Sequence, residues 1–513
     1  MSARVKKIIL LLLVVPLLFA SGQIQKSLNR DRATLGMTYA EPLQNAPPVL
    51  AFTTVALGGF RGLISNFLWM RANDLRDQDK YFEATQLADW ITDLEPHFPM
   101  VWIYEAWDMT YNISVKFKEN APGDYSDRWR WVQRGIELLR DKGLQYNPDD
   151  VGIHRELAWD FQHKIGQGLD DGNLFYKQMW AEEMTSFFGE NGTNFSELLQ
   201  PGNTNAIMLK QKYKIDPVFA EKVNEQYGPL DWRLPEPHAI YWAMQGLQKA
   251  KEHPDKVKSD DLIQLRRVVF QSMQEAFRHG RIISNPFTHG VELAPNLDII
   301  AKANDAYVQS MLEEDNGNSN SIARAGYKNF LRDAVYFCYE NNRMTDAEKW
   351  FKYYGEKYPD KQMLDKDPNS LQKNLTLDEY AVGRFTEDIG ETSLERVTSA
   401  IQGALVHSYL DLAIGQNDTF AGYQLLAQKI YDRYQNKMGN DQKRVTLPPM
   451  NDLKRDVLNE LLDVKEGLPF AARAVIRTQL RMPPEIVSTN SVATPAIPDA
   501  TTNAPAATNS VGK

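Results

Sequence analysis

Pro96 and Pro148 are followed by the same arrangement of residues, and that arrangement constrains the fold more than any other feature of the chain. Six residues after Pro96 stands Trp102, and four further on Ala106; six residues after Pro148 stands His154, followed by Leu157, Ala158 and Phe161. Counting back from Pro96 over a unit of about 34 residues places Leu68, Ala72 and Leu75 on a first helix and Ala84, Ala88 and Ile91 on a second. The residue types have a steric reason. Small side chains at Ala72, Ala106 and Ala158 let the two helices of a hairpin approach closely, while the large apolar neighbours fill the space between hairpins. One hairpin cannot cover its own apolar face, so at least about three such units are expected to fold together.

This register resembles that of the tetratricopeptide family. It recurs late in the chain, where counting back from Pro359 places Ala347, Phe351 and Tyr354 on a second helix and Leu331 and Ala334 on a first. An irregular helical domain whose prolines merely end helices would not place spacing and residue type in agreement at so many positions. The fold class expected is therefore all-α: stacked helical hairpins in a tetratricopeptide-like α-solenoid, with a non-repeat helical insertion, an N-terminal signal or anchor helix and a disordered C-terminal tail. By residue, the expectation is a signal peptide or membrane anchor at 1–22 and a tether at 23–48. Repeats follow at 49–188, an irregular helical region at 189–320, a second repeat region at 321–482 and the tail at 483–513.

Composition narrows the function classes. Hydrophobic residues at 43% and charged residues at 24% are ordinary globular usage, and 513 residues leave room for several domains or one solenoid. A net charge of −9 without a basic cluster argues against nucleic acid as a partner. The single cysteine, Cys338, excludes an intramolecular disulfide and any multi-cysteine metal site; its apolar neighbours Val335, Tyr336 and Phe337 make it a buried, inert thiol. Arg4, Lys6 and Lys7 precede an uncharged apolar run at 8–20, the layout of a secretory leader. Basic residues stay cytoplasmic, so the chain beyond the leader is expected on the far, periplasmic side of the membrane, with cleavage or retention of the leader left open. A second uncharged run at 49–60 is read as a cover for the open end of the first repeat, or as a membrane or partner contact. From 483 onward Pro, Ala, Thr, Ser and Asn dominate, a composition that cannot bury enough apolar surface to fold.

The later stretches are expected to be helical at 238–251, 260–279, 289–311, 395–414 and 419–437, with short helices near 456–464 and 470–480 capping the stack. Residues 116–127 form an inserted loop rich in turn formers. The segment 227–243 mixes prolines and aromatics with Asp231, Arg233 and His238, read as a structural polar network with a functional role as the rival.

No phosphate-loop, dinucleotide-binding, metalloprotease or nucleophile-elbow motif is present where its chemistry needs it. His154 and His163, nine residues apart, do not share the i,i+4 face of helical metal sites, and His154 fills a packing slot. No enzyme activity, cofactor or metal is expected. The better candidate is a groove. In the proteins this chain resembles, set positions on the first helix of each unit face the concave side. Carried over by position, the resemblance implies a face of Asn66, Trp69, Asn73 and Arg76 from the first unit, Tyr104, Trp107 and Tyr111 from the second, and Arg155, Trp159 and His163 from the third. Carboxylate clamps of that family use basic and amide residues here; Asn73, Arg76 and Arg155 keep that character, but Trp107 and Trp159 depart from it. Trp and Tyr beside Arg suit an extended peptide and also the apolar face of a sugar. The expected role is a scaffold binding protein partners of a cell-envelope assembly. The alternatives are an all-α glycan-processing enzyme, a glycan-capture protein, or a groove filled by the chain's own 116–127 loop or 227–243 segment.

Overall fold

The computed structural model describes residues 61–485 except 255–256, 258, 285–290, 315–321, 390–393, 439–446 and 466, together with scattered positions between 16 and 31. Of the leader and tether only those scattered positions are described, and they are helical; the 49–60 reading and all but the first residues of the tail lie outside the described residues. Among those described, no helix is long and apolar enough to cross a membrane. The chain is mostly helical, as an all-α fold requires, and divides into two compact units: 1–284 with 290–337 and 349–359, and 285–289 with 338–348 and 360–513.

In the first unit, α1 (Arg61–Asp77) and α2 (Tyr81–Leu94) form a hairpin. It closes on Ala72, Ala84 and Ala88, each at most 1% exposed, because side chains this small let the backbones approach. α3 (Pro99–Trp107) starts on a proline, which loses nothing in a first turn where its missing N–H would be unpaired anyway. α4 (Ser126–Glu137) packs on α3, and Gly135 makes this possible: a Cβ there would stand 2.3 Å from Thr110 Oγ1 and 2.9 Å from the Ala106 carbonyl oxygen. α5 (Val151–Trp159) is capped by Asp150, whose carboxylate accepts from the Ile153 N–H at 2.9 Å. Three π-helical segments, Asp108–Ile113, Leu138–Gly143 and Asp160–Gly166, continue α3, α4 and α5.

α6 (Asn173–Phe188) packs on the last of these segments. After a one-turn helix at Phe195–Leu198 come α7 (Thr204–Lys212), α8 (Pro217–Tyr227), α9 (Pro235–Glu252) and α10 (Ser259–His279). α9 and α10 form a further hairpin, and both lie against α5. The aromatics of the 227–243 segment pack inward, Trp232 on Phe188 and Phe195 and His238 on Phe161 and Trp180. Its polar groups form the structural network: Arg233 holds Asp231 through two bonds of 2.8 and 2.6 Å, Asp231 also accepts from the Ile282 N–H, and His238 Nε2 bonds the Trp232 carbonyl at 2.9 Å. Burial pushes the His238 ring down to about 4, so it stays neutral.

One expectation needs correction. Residues 289–311 are not one helical region: Val291–Ala294 (β2) pairs antiparallel with Arg281–Ser284 (β1) in the register Arg281↔Ala294, and α11 (Ile300–Glu314) follows. Periodicity could not reveal this, since a four-residue strand is defined by its partner. α12 (Ile322–Glu340) and α13 (Met344–Lys357) carry the Leu331–Ala334 and Ala347–Tyr354 positions, and Leu331, Ala334, Ala347 and Tyr354 are fully buried.

The second unit contains α14 (Leu377–Ile389), α15 (Leu394–Ala413), α16 (Asn417–Met438), α17 (Met450–Leu461) and α18 (Phe470–Gln479). α15 and α16 form the expected hairpin. Gly415 ends α15 at a φ of 80°, a left-handed conformation open to glycine, and the Gln416 N–H then reaches back to the Asp411 carbonyl at 2.8 Å. α17 and α18 pack on α15 around Ala413, Leu462, Ala472 and Ile476. Cys338 is buried and forms no disulfide.

Candidate functional site

α1, α3 and α5, each continued past its α-helical end where a π segment follows, present their rings in one line. Trp69 meets Tyr104 edge-on at 5.0 Å between centroids, and Tyr104 lies 6.2 Å from Trp107. Trp107 stacks on Tyr111 at 6.3 Å, Tyr111 lies 5.6 Å from His163, and His163 stacks on Trp159 at 4.5 Å with an interplanar angle of 12°. Tyr111 Oη and His163 Nδ1 stand 3.2 Å apart, which joins the end of the ladder that follows α3 to the end that follows α5. The pairs Trp107–Tyr111 and Trp159–His163 are both i,i+4, so each helix stacks its own two rings on one face. Tyr104 and Trp107 remain 38% and 39% exposed, and Trp69, Tyr111, Trp159 and His163 are partly so. Neither the 116–127 loop nor the 227–243 segment contributes a ring to this line.

Cations of the chain tie neighbouring helices together beside the rings. Arg76 on α1 donates to Asp108 at 2.7 Å and to both carboxylate oxygens of Glu105 at 2.9 and 3.1 Å, while its guanidinium lies 5.4 Å from the Tyr104 ring centre. Burial works to lower the Arg76 pKa, but the two carboxylates overcome it and raise it. Lys164 repeats the device after α5, donating to Asp170 at 2.7 Å and to Ser114 Oγ at 3.1 Å with its ammonium 5.3 Å from the Tyr111 ring centre. Such cation–ring contacts contribute about 0.5–2 kcal/mol, more when desolvated.

Buried acids sit on the same helices as the rings. Glu105 is 1% exposed; burial pushes its carboxyl up to about 7 although Arg76 opposes the rise. Asp160 is fully buried and neither carboxyl oxygen has a hydrogen-bond partner among the described residues; burial and the nearby Glu156 hold it well above the ordinary carboxylate range, with Lys164 opposing. Burial raises Glu156 as well. The Tyr111 hydroxyl is pushed up by burial and then by Asp160 and Glu156, and the His163 ring is lowered by burial and by Lys164, so neither carries charge at neutral pH.

The positions carried over from the sequence are not all equal. Trp69, Tyr104, Trp107, Tyr111, Trp159 and His163 come together. Asn73 accepts from Arg76 at 2.9 Å and Asn66 is exposed on α1. Arg155 turns away, donating to Asp261 of α10 at 2.8 Å. Glu105, Asp108, Asp160 and Lys164 were not anticipated, yet the chain signals them. Ala106-Trp107-Asp108 and Ala158-Trp159-Asp160 are the same tripeptide 52 residues apart, and a π segment begins at each of the two aspartates. π turns concentrate at functional sites. A third group, His253 with Asp149 and Glu252, brings potential metal-ligand atoms within 4.8 Å of one another, but Lys249 already donates to both carboxylates at 2.9 and 3.1 Å.

No protein-family model, curated protein or solved structure matches the chain.

Proposed function

We propose that this chain is a non-enzymatic, tetratricopeptide-like helical scaffold that works outside the cytoplasm and captures a segment of a protein partner in a cell-envelope assembly. The observation that carries the reading is the continuous line of six partly exposed rings drawn from three successive first helices. Rings held by mutual stacking and by Arg76 and Lys164 lose little freedom when a ligand arrives, which is what makes a preformed aromatic surface an effective binder. Aromatic anchors concentrate binding energy at interfaces. The extracytoplasmic placement rests on the basic and apolar sequence of 4–20.

The test is capture from solubilised membranes by the intact protein and by the Trp107→Ala/Trp159→Ala double variant. Loss of specific partners by the variant, with circular dichroism unchanged, is the expected result. Equal recovery of every partner by both proteins would remove the groove reading.

A further inference from the structure

A cavity of about 380 Å³ that shares no residue with the ring line lies between the start of α6, the turn into α9 and the β1–β2 pair. Its walls are mostly apolar: Leu174 and Phe175 of α6, Leu234 just ahead of α9, Ile282 of β1 and Leu293 of β2. Lys177 of α6 also lines it and is out of keeping with them. It is 8% exposed and makes no hydrogen bond or ion pair with any described residue. Lysine is almost never buried without a partner, because an ammonium taken from water keeps its desolvation cost unless an anion faces it. The acids that feel its charge, Glu236 and Glu275, do so from beyond bonding distance. Burial pushes Glu236 up to about 7, so below neutral pH it is mostly uncharged, and Glu275 stands 3.5 Å from His279. The ammonium is not sealed inside the protein either, so it opens on the cavity that its side chain lines. The other polar lining groups are engaged or exposed: Tyr125 Oη donates to Glu119 at 2.9 Å, the Gln178 amide donates to Glu182 at 3.0 Å, and the Asp171 carboxylate faces solvent.

We propose that this cavity binds a medium-chain fatty acid, whose carboxylate accepts from the Lys177 ammonium while its hydrocarbon tail lies against Leu174, Phe175, Leu234, Ile282 and Leu293.

Other occupants fit these walls less well. A phosphate or another dianion brings a second charge that no lining group pairs, and the apolar walls would strip its water without return. A sugar or the C-terminus of a peptide carries hydroxyl or amide groups that each need a partner. With Tyr125 and Gln178 already turned to glutamates, most of those groups would stay unmatched. A hydrocarbon tail asks for none. It gains from leaving water along its whole length, and its one polar end meets the one cation that lacks an anion. Size agrees with a tail of medium length, since about 380 Å³ is near the lower end of the roughly 300–1,000 Å³ of small-ligand sites. Leu234 is buried and Leu174 is exposed, so the apolar surface runs from the interior out to solvent and gives the ligand a way in. The proposal stands independently of the groove reading above.

The test uses the full chain slightly below neutral pH, titrated by calorimetry with octanoate, hexanoate, octanamide and octylammonium. Octanamide keeps the tail and removes the charge. Octanoate should bind with one site per chain and at least about tenfold more tightly than octanamide, and octylammonium should not bind. Each methylene between hexanoate and octanoate should gain about fourfold. Lys177→Met should bring octanoate down to the affinity of octanamide while octanamide binding stays, which separates a lost charge from a lost fold, and Lys177→Arg should keep the preference. Leu174→Asp, a change at an exposed position, should weaken octanoate more than octanamide; it decides the matter should Lys177→Met fail to fold. Equal affinity for octanoate and octanamide overturns the proposal, as does a preference for octanoate that survives Lys177→Met. Equal affinity for hexanoate and octanoate overturns it because the walls would then be unused. Octanoate binding unchanged by Leu174→Asp, or no octanoate binding at all, overturns it too.

Discussion

Replacing Arg76 by Met tests how α1 is joined to α3 and to the π segment that continues it. The guanidinium is 12% exposed, and its partners Glu105 and Asp108 are 2% and 3% exposed as side chains, so the substitution leaves two buried carboxyl groups without their cation. Breaking a buried pair from one side costs about 3–5 kcal/mol; the partial exposure of Arg76 argues for the lower end, near ~3 kcal/mol. The pH dependence is more diagnostic than the size. In the native chain burial holds Glu105 at about 7 while Arg76 pulls it down, so its removal moves Glu105 higher. Both proteins bind that proton below about 7 and neither binds it at high pH; between the two folded values only the variant does. The variant's deficit is therefore greatest near the top of this window and shrinks as pH falls toward 7, by about 1.4 kcal/mol per pH unit at most. Hydrogen exchange of the α1 and α3 amides is the local readout suited to a chain of two compact units. Exchange should accelerate roughly 10²-fold at pH 9 for a loss near ~3 kcal/mol, less at pH 7, and Glu105→Gln in the same background should restore part of the protection. A deficit below about 1 kcal/mol at pH 9, or one that stays constant between pH 9 and 7, would refute the reasoning.

Two further perturbations probe the packing. Gly135→Ala drives a methyl group against Thr110 Oγ1 and the Ala106 carbonyl oxygen; overpacking of about 1–3 kcal/mol outweighs the gain of about 1 kcal/mol in helix propensity. The melting temperature should fall, with partial recovery on adding Thr110→Ala, and an unchanged or higher value would mean that α3 and α4 do not approach this closely. Glu236 is 2% exposed and burial, opposed by Lys177, pushes it up to about 7 from 4.5. Its folded state keeps a proton that the unfolded chain gives up, so its contribution to stability is lost as pH rises from about 4.5 to 7. Glu236→Gln lacks that loss and should gain on the native protein by about 3 kcal/mol across the window, read as slower exchange of the α9 amides; parallel pH profiles would show that Glu236 ionises freely.

The helices and the ring positions were legible because they depend on short-range periodicity. A first helix that begins beside Pro96 or Pro148 turns every fourth residue to one face, so Trp107 and Tyr111, or Trp159 and His163, had to share a side wherever the helix packed. The repeated Ala-Trp-Asp tripeptide carried the acids as well, although counting apolar anchors passes over it. What the chain alone did not determine is which side chains meet across elements. Arg155 and Arg76 stood as equivalent basic groups on the groove face until α10 placed Asp261 beside the first and α3 placed Glu105 and Asp108 beside the second. The same holds for β1 and β2, which exist through each other, and for Asp160, an ordinary exposed-type residue in sequence whose burial depends on the helices packed around it. Periodicity is a property of one segment and can be read from it; desolvation and pairing belong to the surfaces that meet, and only the tertiary arrangement supplies them.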